Sequence, residues 1–96
     1  MERNRKNIFT ASTLRKARLA KALGHPVRIA IIEYLLEHDR CSSGMLTHEI
    51  SLSQSTLAQH LKLLKNAGLL RFETKGKETS YFINQEVWNE VEIRII

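Results

Sequence analysis

The segment SQSTLAQHLKLLKNAG, residues 53–68, decides the fold of this chain. At 100° per residue, an aliphatic row and a polar stripe fall on opposite sides of one helix. The aliphatic row is Leu57, Leu61 and Leu64, and the polar stripe is Ser55, Gln59, Lys62 and Asn66. Ser53 suits the N-cap and Gly68 suits the position after the last turn, so the segment predicts a helix of about four turns.

The neighbouring segments decide how this helix is interpreted, because an amphipathic helix by itself predicts only packing against a core. The residues MLTHEI, 45–50, predict a short helix, and the residues SLS, 51–53, predict a tight turn after it. A short helix, a tight turn and a second amphipathic helix form a helix-turn-helix. In that motif the polar stripe of the second helix faces DNA bases and phosphates.

A β-hairpin is predicted directly after this motif, in the residues LLRFETKGKETSYFIN, 69–84. Two runs rich in aromatic and β-branched residues flank Lys75-Gly76-Lys77, and glycine supplies the permissive backbone that a hairpin tip requires. The alternating apolar positions are Leu70, Phe72, Tyr81 and Ile83. A basic-tipped hairpin after a helix-turn-helix predicts a winged helix-turn-helix.

Three further helices are predicted outside this region. The first begins at Thr10 or Ser12 and ends at Gly24, and the second begins with Pro26 at its first position, where His25 can serve as the cap. Asn84 can cap a last helix. The predicted fold is mainly α with a β-hairpin wing, in the order α-α-α-α-β-β-α.

Length and composition predict one small domain. The chain has 96 residues, of which 43% are hydrophobic, and a formal net charge of +5 that favours polyanions. Residues 1–9 predict a flexible basic arm and residues 10–96 a single domain. Cys41 is the single cysteine, which excludes an internal disulfide and fits a reducing cytoplasm. No apolar run approaches the roughly 20 residues of a membrane span.

The candidates for base reading lie in the first turns of the predicted DNA-facing helix. Glutamine can pair with adenine and a threonine methyl group can contact thymine. These candidates are Gln54, Ser55, Thr56 and Gln59. The alternatives are that Thr56 packs inward beside Leu63 and that Gln54 serves only the helix N-terminus.

The candidates for phosphate contact are cations on the same helix and on the wing. They are Lys62, Arg71, Lys75 and Lys77. The alternative for each is ordinary solvated charge. Lys65 lies near the helix end, where interaction with the helix dipole is an equally good explanation.

The sequence resembles the ArsR/SmtB-type family of small winged-helix repressors between Leu19 and Asn84. The resemblance lies in LGHPVRIAIIEYL, LSQSTLAQHLKLLKNAGLL and the wing ending YFIN. It implies a homodimer held by the first and last helices and a partly palindromic operator in double-stranded DNA. The family's Cys-x-Cys metal site falls at Ser42 and Gly44 here, so we predict no thiolate metal site.

The predicted dimer surface consists of apolar residues of the first and last helices. A domain of this size is expected to leave several of them uncovered until a partner chain packs on them. These residues are Leu14, Leu19, Val87, Trp88, Val91 and Ile95.

No metal, cofactor or catalytic site is predicted. The four histidines form no i, i+4 pair on one helix, and the last helix has no histidine. His60 is interpreted as a packing residue or a phosphate-facing residue. No nucleophile triad order, phosphate-binding loop or carboxylate pair is present, which argues against an enzyme.

The sequence therefore predicts a sequence-specific DNA-binding repressor. The alternative is a winged-helix module that binds another protein through the hairpin and the last helix. Binding that is lost when Trp88 changes, but not when Gln59 or Lys75 changes, would support this alternative. The sequence does not identify an effector. Oxidation of Cys41, beside the turn into the third helix, is one hypothesis for regulation.

Overall fold

The computed structural model describes residues 9–94, and within them it shows the predicted winged helix-turn-helix. The elements are α1 (Ala11–Ala22), α2 (Pro26–Glu37), β1 (Cys41–Ser42), α3 (Ser43–Ile50), α4 (Gln54–Asn66), β2 (Leu70–Lys75), β3 (Glu78–Ile83) and α5 (Gln85–Arg94). All of the predicted basic arm except Phe9 lies outside the described residues, as does Ile95.

The helices begin where the local sequence chemistry places them. Thr10 accepts a hydrogen bond from the Thr13 N–H at 3.1 Å and so caps α1. His25 caps α2 through its Nδ1 atom, which lies 3.1 Å from the Val27 backbone nitrogen. In both cases a side chain satisfies a backbone donor that the first helical turn leaves unpaired.

The sheet contains a strand that the sequence did not predict. β1 pairs with β3, so the strand order is β1-β3-β2 and all neighbours are antiparallel. Cys41 lies opposite Tyr81 and Ser42 lies opposite Ser80. A strand of two residues is too short to show an alternating pattern in the sequence. Its conformation comes from pairing with β3, about 40 positions later in the chain.

The core lies between the helices and the base of the wing. The predicted row of α4 is buried, with Leu57 at 1%, Leu61 at 3% and Leu64 at 0% exposure. The remaining buried hydrophobic residues are Leu19, Ala22, Ile31, Ile32, Leu35, Cys41, Leu46, Leu69, Leu70, Trp88 and Val91. Removing these side chains from water is the main stabilising contribution to the fold.

The structure corrects the expected exposure of three predicted dimer residues. Leu19, Trp88 and Val91 are buried within one chain, and Val87 is half-buried against the same core. The exposure expected for the α5 residues was wrong, because α5 packs back onto the core, and Leu19 of α1 is buried in the same core. The assignment of α1 and α5 to a dimer interface stays a prediction.

The apolar surface of α1 and α5 is formed by Leu14, which was among the predicted dimer residues, and by Ile93, which was not. Leu14 is 46% exposed and Ile93 is 79% exposed. The two helices are joined by Arg15, whose Nε and Nη2 atoms donate to the Glu90 carboxylate at 3.1 and 3.0 Å. No helix among residues 9–94 is long and apolar enough to cross a membrane.

Candidate nucleic-acid interface

The N-terminus of α4 is fixed by a local hydrogen-bond network. The Thr56 N–H donates to Ser53 Oγ at 3.2 Å, and Ser53 Oγ donates to Thr56 Oγ1 at 2.9 Å. Thr56 is half-buried. The hydroxyl of Thr56 therefore completes the helix cap, a use of this residue that the sequence did not indicate.

The turn before α4 sets the direction of this N-terminus. Ser51 ends α3 in the left-handed conformation, at φ 60°, and Ser53 returns to extended backbone. Leucines of α3 and α4 bury on the same core, which fixes the two helices against each other. The first turn of α4 is thereby presented at the surface.

The polar stripe of α4 is exposed along its whole length, as predicted. Every member of the stripe lies on the surface, from Ser55 through Gln59 and Lys62 to Asn66. Gln54, at the first helical position, is also exposed. The sequence of α4 contains no aspartate or glutamate, so this face presents donors, acceptors and cations without a carboxylate.

The tip of the wing carries exposed cations. Gly76 adopts φ 61° in the turn, a conformation that glycine adopts without strain. Lys75 and Lys77 flank it and are exposed. The Lys75 Nζ atom lies 3.9 Å from Glu73 Oε1, but its side chain is 86% exposed, and such surface pairs contribute little.

One face of the wing, which carries Glu73 and Phe82, is contacted by Arg40 from outside the hairpin. Arg40 donates to Glu73 Oε1 at 2.8 Å, and its guanidinium lies 4.5 Å from the centre of the Phe82 ring. Arg71 lies opposite Phe82 in the sheet and is exposed on this same face. Arg40 was not identified from sequence, because 33 positions separate it from Glu73 and no local pattern marks the contact.

A second missed residue is Arg28, which joins α2 to α1 and to α4. Its guanidinium contacts two backbone carbonyls at the end of α1 and the Nδ1 atom of His60. The structure therefore supports a packing role for His60, one of the two interpretations that the sequence left open.

Cys41 is buried in the core, in strand β1 alongside β3 of the wing. Its thiol donates to the Ser42 carbonyl at 3.5 Å, and burial raises the pKa of the thiol above the ordinary value. A raised pKa reduces the thiolate fraction and with it the reactivity. Among residues 9–94, no group of three or more His, Cys, Asp and Glu side chains is placed to hold a metal ion.

Comparison with known proteins identifies the family of this arrangement. Residues 23–71 match a helix-turn-helix domain family. The chain is 33% identical over 81 residues to the HTH-type transcriptional regulator YgaV of Escherichia coli, which covers 84% of this chain and 82% of that protein. It is 43% identical over 63 residues to the HTH-type transcriptional repressor SmtB of Mycobacterium tuberculosis, covering 66% of this chain and 46% of SmtB.

The chain spans less than two thirds of the length of several curated relatives. For the HTH-type regulator Rv0081 of Mycobacterium tuberculosis, 38% identical over 68 residues, it spans 60% of that protein. The match covers 71% of this chain.

Among solved structures, HlyU from Vibrio cholerae superposes with a TM-score of 0.75 at 30% identity. The match covers 86% of this chain and 90% of HlyU. The transcriptional repressor BigR from Xylella fastidiosa superposes with a TM-score of 0.69 at 27% identity, covering 98% of this chain and 99% of BigR. YgaV, SmtB, Rv0081 and BigR are each named as a regulator or repressor of transcription. This chain belongs to the ArsR/SmtB-type family of winged helix-turn-helix transcriptional regulators.

Proposed function

We propose that this protein is a repressor that binds a partly palindromic operator as a homodimer, with one α4 in each of two successive major grooves. The observation that carries the proposal is the exposed, carboxylate-free polar stripe of α4, on the side of the helix opposite the buried leucine row. The leucines pack this helix on the core, so its polar side is presented at the surface. The names of SmtB and BigR as repressors support the direction of regulation.

Base reading is assigned to the exposed side chains of the first turns of α4. Gln59 has the two donors and one acceptor group that pair with the major-groove edge of adenine. Gln54 and Ser55 are exposed beside it and extend the contact toward the helix N-terminus. Thr56 is also assigned to base reading. Its hydroxyl accepts a hydrogen bond from Ser53, so its methyl group is the part assigned to contact with thymine.

Phosphate contact is assigned to the exposed cations of α4 and the wing, namely Lys62, Arg71, Lys75 and Lys77. Lysine is a mobile point charge that follows a phosphate backbone without sequence preference. Lys75 and Lys77 flank Gly76 at the wing tip, the part of the hairpin that reaches the DNA backbone or the minor groove. Cations of this kind set affinity and its salt dependence, while the α4 stripe sets sequence preference.

The homodimer is proposed to form through α1 and α5. Leu14 and Ile93 leave apolar surface on these two helices, and an ion pair between Arg15 and Glu90 links one helix to the other. Ile93→Glu is expected to shift the sedimentation mass from dimer to monomer. The control Leu36→Glu changes an equally apolar residue, 44% exposed on α2, and should leave the mass unchanged.

Selection of genomic fragments across a salt series tests DNA binding. We expect one partly palindromic site to be enriched, and we expect Lys75→Ala to weaken all sequences and to lower the salt slope by about one. Lys16→Ala removes the same charge from exposed α1 and should leave the slope unchanged. Absence of any enriched site, with binding lost at physiological salt, would contradict the proposal.

The rival interpretation as a protein-interaction module is weakened by the position of Trp88 on the last helix. Trp88 is only 8% exposed and packs in the core of the same chain. We propose that the protein works in the cytoplasm, where the operator DNA is located.

A further inference from the structure

One guanidinium group connects three helices at the flank of α4. Arg28, on α2, donates from Nε to the Ala22 carbonyl at 2.7 Å and from Nη2 to the Lys21 carbonyl at 3.4 Å. Its Nη1 atom lies 3.2 Å from Nδ1 of His60 on α4. A cation at the C-terminal carbonyls of α1 is also favoured by the helix dipole. Arg28 thus ties the end of α1 to the DNA-facing helix.

The chemistry of this contact fixes the protonation state of His60. A guanidinium group has only donors, so Nδ1 of His60 must accept the hydrogen bond and must carry no proton. The His60 ring also packs on the His25 ring, with 4.6 Å between ring centres. The Nδ1 atom of His25 is itself occupied as acceptor for the Val27 N–H. The arrangement therefore requires a neutral imidazole at His60.

A proton on His60 would remove the acceptor and place two cations against each other. Among residues 9–94, the charged or titratable groups that act on this ring are His25, from the loop before α2, and Arg28, from α2. α1 contributes only carbonyl groups to the Arg28 contact. Burial lowers the pKa of His60 below its ordinary value of 6.5, and His25 and Arg28 lower it further.

We propose that Arg28 is a positioning residue that holds α4 in its DNA-binding orientation through neutral His60, and that acidification releases this contact and weakens DNA binding. His60 follows Gln59 directly in the chain, so a movement of α4 at His60 displaces the polar stripe that contains Gln59. The inference deepens the proposed DNA-binding function and rests on it. An outward-facing histidine beside phosphates would act in the opposite direction, because its proton would add a favourable charge.

The test measures binding to the selected operator duplex at about pH 7.5 and about pH 5.5, the range in which histidine titrates. We expect the binding constant to fall between these two pH values in the unmodified protein, because the neutral form of His60 is depleted at the lower one. His60→Gln keeps an acceptor for Arg28 but does not titrate, so its ratio of binding constants should be close to one. His48→Gln removes an exposed histidine of α3 and should keep the full ratio.

Two results of this binding experiment would overturn the proposal. One is a binding constant that rises on acidification through His60, which would assign the ring to phosphate contact. The other is a ratio that persists in His60→Gln but disappears in His25→Asn, a variant that retains a side chain suited to the N-cap. The second result would assign the pH dependence to the cap of α2.

A titration of the His60 ring by nuclear magnetic resonance without DNA separates this inference from the proposed function. We expect the His60 pKa to lie below 6.5 and to rise toward that value in Arg28→Gln, with the fold checked by the same spectra. A pKa at or above 6.5 in the unmodified protein would refute the contact. If the titration gives the expected pKa values but no operator is found, the proposed function fails and the Arg28–His60 contact is still supported.

Discussion

The Lys65 ammonium group lies 4.7 Å from the centre of the Phe72 ring, and this contact joins α4 to the wing. The ring of Phe72 also lies 6.4 Å from that of Tyr81, its partner in the sheet. A cation above an aromatic face is stabilised by the ring quadrupole. Lys65 therefore links α4 to the wing rather than acting as another solvated charge.

A double-mutant cycle of Lys65→Met and Phe72→Leu tests this contact. Both replacements are apolar side chains of similar length or size, so the coupling energy reports mainly the cation–π interaction. We expect this coupling to be about 0.5–1 kcal/mol of unfolding free energy. Urea unfolding of the four proteins measures it. Lys62→Met, an exposed change on the same helix, should show no coupling to Phe72→Leu. Additive effects of Lys65→Met and Phe72→Leu would show that the contact contributes no stability.

Loss of the α4 cap should destabilise the domain. Ser53→Ala removes the acceptor of the Thr56 N–H and the donor to the Thr56 hydroxyl, and we expect a loss of roughly 1 kcal/mol. Ser53→Asp should retain most of the stability, because a carboxylate also accepts at this position and favours the helix dipole. Gln59→Ala, an exposed change in the same helix, should stay within about 0.5 kcal/mol. Equal effects of Ser53→Ala and Gln59→Ala in thermal unfolding would contradict the assigned cap.

The thiol of Cys41 should react slowly in the folded protein. The side chain is 6% exposed, and its burial raises the thiol pKa, so both access and thiolate fraction are reduced. We expect the reaction with a disulfide reagent at neutral pH to be many times slower in buffer than in denaturing urea. Peroxide should leave DNA affinity unchanged on the same time scale. Rapid labelling of the folded protein would restore the hypothesis that oxidation of Cys41 regulates binding.

The stability of the domain should decrease on acidification because of His60. Its pKa is lower in the folded chain than the ordinary value of 6.5, so folding favours the neutral ring. The stabilisation that neutral His60 contributes is complete above pH 6.5. It is lost as the pH falls from 6.5 through the lowered pKa of His60 in the folded chain. Unfolding free energies measured between about pH 8 and pH 5 should fall less in His60→Gln than in the unmodified protein. Parallel curves would show that His60 has the same pKa in both states.

The parts of the fold that were predicted from sequence have local causes. The period of the leucines, the caps at Ser53 and His25 and the turn at Gly76 each act within a few residues of the chain. The polar stripe followed from the same helical period, since fixing the buried side of α4 also fixes the exposed side. These signals were sufficient for the helix-turn-helix and the wing.

The parts that were not predicted depend on residues distant in sequence. β1 exists because Cys41 and Ser42 meet β3, and Trp88 is buried because α5 folds back onto the core. The contact between Arg28 and His60 crosses 32 positions and carries no motif. Composition and periodicity describe which residues are apolar, but they do not state which surface covers them.

The most direct measurement of the central claim is the base preference of Gln59→Ala, obtained by selection from a randomised duplex library and compared with the unmodified protein. The account predicts that the unmodified protein enriches a partly palindromic site and that Gln59→Ala loses discrimination at one symmetric pair of positions, by about 1–3 kcal/mol, while other positions keep theirs. Lys16→Ala should reproduce the unmodified preference. An unchanged site for Gln59→Ala would contradict base reading by the α4 stripe.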